Sequence, residues 1–106
     1  MTPDRSDPGR GVVRLLNTAG GRALCLAGEV DATSVASFVR RYGREPMPVD
    51  LIDTGSVTGL SVPALDLLLD HLDAGERAGR RVRVRRSPEV ERLLAQAGRR
   101  ETRAPL

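Results

Sequence analysis

The stretch VDLIDTGSVTGLSVPALDLLL, residues 49 to 69, limits the folds open to this chain more than any other part of it. Its short apolar run, Val49, Leu51 and Ile52, reads as a buried strand, and Asp53-Thr54-Gly55-Ser56 are strong turn formers that predict the end of that strand. Pro63 suits the first turn of a helix, where a missing N–H costs nothing, and Ser61 is a better N-cap than Val62. The helix is expected to run to Ala78, with Leu65, Leu68, Leu69 and Leu72 along one side and Asp66, Asp70 and Asp73 along a water-facing stripe. Function is expected in the loop between strand and helix.

The flanking segments extend the same alternation. Val12 to Asn17 reads as a strand that turns through Thr18-Ala19-Gly20-Gly21 and pairs as a hairpin with a second strand, Ala23 to Val30. The near-continuous apolarity of that second strand predicts a central position with both faces buried or nearly so. Asp31-Ala32-Thr33-Ser34 offers caps for a helix whose apolar residues, Val35, Phe38, Val39 and Tyr42, fall at i, i+3, i+4 and i+7, and Gly43 stops it. After Gly79, Arg81-Val82-Arg83-Val84-Arg85 alternates with period two, which predicts an edge strand with arginines on a wet face. Ser87-Pro88-Glu89 opens a last helix with Val90, Leu93, Leu94 and Ala97 on its apolar face and Gly98 at its end. The expected fold class is therefore α/β: a single small domain of order ββαβαβα, with a mixed sheet of about four strands and about three main helices mostly on one face. Residues 1 to 11 read as a flexible leader, 12 to 98 as the domain and 99 to 106 as a flexible tail.

Composition narrows the function classes. A chain of 106 residues supports one core. Its one cysteine, Cys25, cannot form an internal disulfide and reads as an inert core thiol within an apolar run. No apolar segment is long enough to span a bilayer, and the first residues lack a signal peptide's apolar centre, so a cytoplasmic location is expected. All seventeen basic residues are arginine. Nine of them lie in residues 80 to 106 against three glutamates, while residues 1 to 79 are net acidic, an asymmetry that can steer an acidic partner.

The pattern Asp53, Val57-Thr58, a short linker, then Leu65 and Leu67-Leu68-Leu69, preceded by Gly28-Glu29-Val30-Asp31, resembles a STAS domain, the fold of the anti-sigma factor antagonists. The resemblance covers residues 12 to 98. Where family members read Phe-Ile-Asp-Ser-Ser-Gly-Leu, this chain reads Gly59-Leu60-Ser61-Val62-Pro63-Ala64-Leu65, so the family's phosphorylated residue falls on Val62 and its helix-opening glycine on Ala64. The resemblance implies a bacterial, non-enzymatic partner-switching regulator of transcription that binds an anti-sigma factor with a serine-kinase-like ATPase domain, without the usual phosphorylation switch. It also implies partner contacts at Asp31 and Thr33 and at Gly59, Leu60, Ser61, Val62 and Pro63. Ser61 is a candidate phosphoacceptor displaced by one residue, weighed against a plain N-cap, and Thr58 is a weaker candidate. The alternative is a structural STAS subunit of a larger assembly, such as a lipid transporter or a stress-sensing complex.

Other chemistries find little in the sequence. The sole histidine, His71, has no neighbouring metal-ligand partner and reads as a solvated helix residue. Gly59-Leu60-Ser61-Val62-Pro63 lacks the second glycine of a nucleophile elbow, and a phosphate loop would need a lysine. Asp53 reads as an aspartate bonded to nearby loop amides rather than a metal ligand or acid. No catalytic residue, metal ligand or cofactor site is expected. Nucleic-acid binding by the arginine-rich half is the weaker rival, since the only aromatic residues, Phe38 and Tyr42, fall on a helix face predicted to be buried.

Overall fold

The computed structural model describes residues 11 to 96. The elements run β1 (Val12–Thr18), β2 (Gly21–Val30), α1 (Ala32–Tyr42), β3 (Leu51–Leu60), α2 (Val62–Arg77), β4 (Arg83–Arg86) and α3 (Pro88–Gln96). The ββαβαβα order and the α/β class are those expected from the sequence. The expected leader and tail, and the helix end at Ala97 and Gly98, lie outside the described residues, Gly11 excepted.

The four strands form one mixed sheet in the order β1-β2-β3-β4. β1 and β2 make the antiparallel hairpin, while β2–β3 and β3–β4 are parallel and joined through α1 and α2. Cross-strand partners share a face, so the register sorts the side chains. Leu15, Leu24, Ile52 and Val84 form one row, with Val13 and Leu26 beside it. This face meets Phe38 of α1, Ala64, Leu67 and Leu68 of α2, and Val90 and Leu94 of α3 in a single core. All three helices thus cover the same face. Leu24, Ile52, Leu68 and Val90 are wholly buried, each contributing about 1.5–3 kcal/mol by leaving water.

Three readings of the sequence need correction. The segment 53 to 60 is not a loop but the continuation of β3. β2 is ten residues long and offers a ladder for the whole of it. The register jumps from Cys25↔Asp53 to Ala27↔Ser56, and again from Gly28↔Val57 to Glu29↔Gly59, so β3 carries one extra residue at each point. The turn chemistry is spent on bulges: the Asp53 carboxylate accepts from the Gly55 N–H at 3.0 Å without ending the strand. Within and after this bulge Thr54 and Val57 are both buried, and the Thr54 hydroxyl donates to the Arg85 carbonyl at 2.6 Å.

The apolar stripe of α2 is rotated from the expected one. Ala64, Leu67, Leu68, His71 and Gly75 are buried, while Leu65, Leu69 and Leu72 pack at the margin of the core. His71 is therefore a core residue, 2% exposed, rather than a solvated one. Its Nδ1–H donates to the Leu67 carbonyl at 2.9 Å, and its Nε2 accepts from the Met47 N–H at 3.1 Å. One ring thus ties the linker before β3 to the body of α2. The third correction concerns Cys25, which is half-buried on the sheet face away from the core.

Candidate functional site

The parallel strands β2 and β3 finish side by side, and this common end brings the predicted partner-contact residues together. Val30 pairs with Leu60, and the Ser61 N–H donates to the Val30 carbonyl at 2.9 Å. Each strand then turns directly into a helix through an extended capping residue, Asp31 for α1 and Ser61 for α2. Two helix N-termini consequently open on the same edge of the sheet.

The first cap is well braced. Asp31 Oδ1 accepts from the Ser34 N–H at 2.9 Å, and the Ser34 hydroxyl lies 3.0 Å from both that carboxylate and the Gly11 carbonyl. Gly11 is buried here, packed so closely that a Cβ would stand 2.3 Å from the Glu29 carbonyl oxygen. The second cap is looser: Ser61 Oγ accepts from the Ala64 N–H at 3.4 Å, while its carbonyl accepts from the Leu65 N–H at 2.9 Å. Pro63 sits in the first turn, where no N–H is needed. Ala64 is fully buried against the core.

Exposure divides the predicted residues. Asp31, Thr33, Val62 and Pro63 are exposed, and Gly59, Leu60 and Ser61 are half-buried. Val62 is the most exposed large apolar residue described, at 72%. Glu29, part of the Gly28-Glu29-Val30-Asp31 motif but not among the expected contacts, lies against Gly59, its Cγ 3.3 Å from where a Cβ would stand. The signal for it was its place two residues before the Asp31 cap on an otherwise apolar strand.

Ser61 Oγ serves as the α2 cap, and His71 lies ten residues further along the helix, about 15 Å away at the usual helical rise. Among the described residues no group of three or more His, Cys, Asp or Glu side chains could hold a metal ion, and no helix is long and apolar enough to cross a membrane. Thr58 is exposed on β3 beside the second bulge. Asp53 bonds a local amide, as its sequence setting implied, though within a strand rather than at its end.

Two side chains have perturbed acidities. Burial lowers the pKa of His71, only partly offset by its bond to the Leu67 carbonyl and by nearby Asp70. Burial raises that of the Cys25 thiol, and Asp53 adds to the rise while Arg14 opposes it. The rise disfavours the thiolate, the nucleophilic form of the side chain. Comparison of the chain with family models, with curated proteins and with solved structures yields no match.

Proposed function

We propose that this chain is a non-enzymatic, STAS-type partner-binding domain acting as an anti-sigma factor antagonist or related partner-switching regulator in the bacterial cytoplasm. It uses the shared end of β2 and β3 to bind an anti-sigma factor of the serine-kinase type. The observation that carries this reading is the exposed Val62 side chain at the mouth of two adjacent helix N-termini, bounded by Asp31, Thr33 and Pro63. An apolar residue standing clear of its own core is available to a partner's pocket, and the polar groups around it supply selectivity.

Phosphorylation would not regulate this surface in the usual way. Val62 has no hydroxyl, and Ser61 Oγ faces its own helix as a cap. The domain would then bind its partner constitutively, with release governed by competition among partners.

Affinity capture of partners from native lysate, with mass spectrometry of both captured proteins and the bait, tests the reading. A serine-kinase-like anti-sigma factor, recovered with Ser61 and Thr58 unmodified, is the expected result. Recovery of transporter or scaffold subunits instead would make the chain a structural subunit of a larger assembly.

A further inference from the structure

The sheet face that no helix covers has a composition of its own. The register places Leu16, Ala23, Leu51 and Arg83 in one cross-strand row, and Arg14, Cys25, Asp53 and Arg85 in the next. Val12 and Ala27 follow beyond the second row. Across four strands this face is about 14 Å wide. Val12 and Leu16 are 44% and 41% exposed, and neither they nor Leu51 joins the core.

Three exposed arginines, Arg14, Arg83 and Arg85, outnumber the two carboxylates on this face, Asp53 and Glu29. Among the described residues no ion pair joins any of the three to a carboxylate. Arginines engaged elsewhere on the chain are different: Arg80 pairs with Asp50 and Arg86 with Glu91. Arg14 stands on β1 and Arg85 on β4, the Arg83 guanidinium reaches across the sheet to the β1–β2 turn, 3.9 Å from where a Gly20 Cβ would stand, and the exposed aliphatic side chains, Val12 and Leu16, lie on β1.

We infer that this face is a second docking surface, and that its occupant is an acidic amphipathic segment of a protein partner, with aliphatic side chains against Val12 and Leu16 and carboxylates at the arginines. Charge complementarity selects the acids. The exposed aliphatic residues select against nucleic acid: a phosphate backbone would leave Val12 and Leu16 in water, and the face carries no aromatic platform for bases. The inference is independent of the family reading, since it uses neither the helix caps nor Val62.

Cys25 lies in the middle of this face and is the chain's only cysteine, so its alkylation reports on occupancy. The test uses the full chain with a synthetic helical peptide bearing leucine on one side and glutamate on the other. A lysine version and a DNA duplex serve as comparisons. The glutamate peptide should slow maleimide alkylation of Cys25, and the lysine peptide should not. The double substitution Arg83→Ser and Arg85→Ser should weaken binding about tenfold, and Leu16→Ser about threefold, with far-UV circular dichroism unchanged. Failure of the glutamate peptide to bind, binding that leaves Cys25 alkylation unaltered, or tighter DNA binding insensitive to Leu16→Ser would each overturn the inference.

Discussion

His71 should make this domain sensitive to mild acid, and its surroundings set both the sign and the size of the effect. In the folded state the ring is neutral, donating from Nδ1 to Leu67 and accepting at Nε2 from Met47. A second ring proton would confront the Met47 N–H with another donor in a site that is 2% exposed. Burial therefore lowers the folded-state pKa below the unfolded value of 6.5. Because the unfolded chain binds the proton more readily, the stabilisation is fully present above pH 6.5 and is lost as pH falls below it towards the folded value. Within that window the slope approaches about 1.4 kcal/mol per pH unit.

Urea unfolding at intervals from pH 8 to pH 5 measures this slope. The chain has no second histidine to confuse the result, and carboxylates titrate mainly below the window. His71→Leu puts an apolar side chain of similar bulk in place of the ring, leaving the Met47 N–H without its acceptor and the Leu67 carbonyl without its side-chain donor. It should cost about 1–3 kcal/mol at pH 8 and flatten the profile between pH 6.5 and 5. A wild-type profile already flat there, or a variant with the same slope as wild type, would refute the reasoning.

Other substitutions probe separate parts of the structure. Gly75→Ala should destabilise the domain by about 1–3 kcal/mol in thermal or urea unfolding, because the new Cβ would lie 2.6 Å from Val82 Cγ2, outweighing the gain in helix propensity. Thr54→Val keeps the shape but removes the bond to the Arg85 carbonyl, and a loss of about 1–2 kcal/mol with weakened amide protection in β4 is expected. Ser61→Ala removes the α2 cap and should cost about 1 kcal/mol in the same unfolding assay. Val62→Asp should leave stability within about 0.5 kcal/mol of wild type, since its side chain is exposed, while reducing partner capture.

The order of elements could be read from the sequence because each carried its own period and its own punctuation. Asp31 and Ser61 are caps in the structure as in the sequence, and Gly43 and Gly79 mark helix ends with positive φ. The extension of β3 could not be read in this way. Asp53-Thr54-Gly55-Ser56 has the chemistry of a turn, and only pairing with a ten-residue β2 makes a bulge cheaper than a break. His71 was misplaced because the leucines of α2 fit two neighbouring helical stripes, and the packing of Leu67 and Gly75 selects the one that includes it. The apolarity of β2 was real but did not distinguish its two faces, one packed under three helices and the other bearing Cys25 beside arginine. The candidate contact surface was legible residue by residue. Its assembly, with Ser61 bonded to Val30 and both caps at one edge, required the sheet.

Amide hydrogen exchange on the captured complex addresses the partner-binding edge most directly, compared with the free chain under the same conditions. Partner engagement there should slow exchange at residues 31 to 34 and 59 to 65 and leave β1 and β4 little changed. Unchanged exchange at both segments in a complex that stays intact would contradict the assignment of Asp31, Thr33, Ser61 and Val62 to the binding surface.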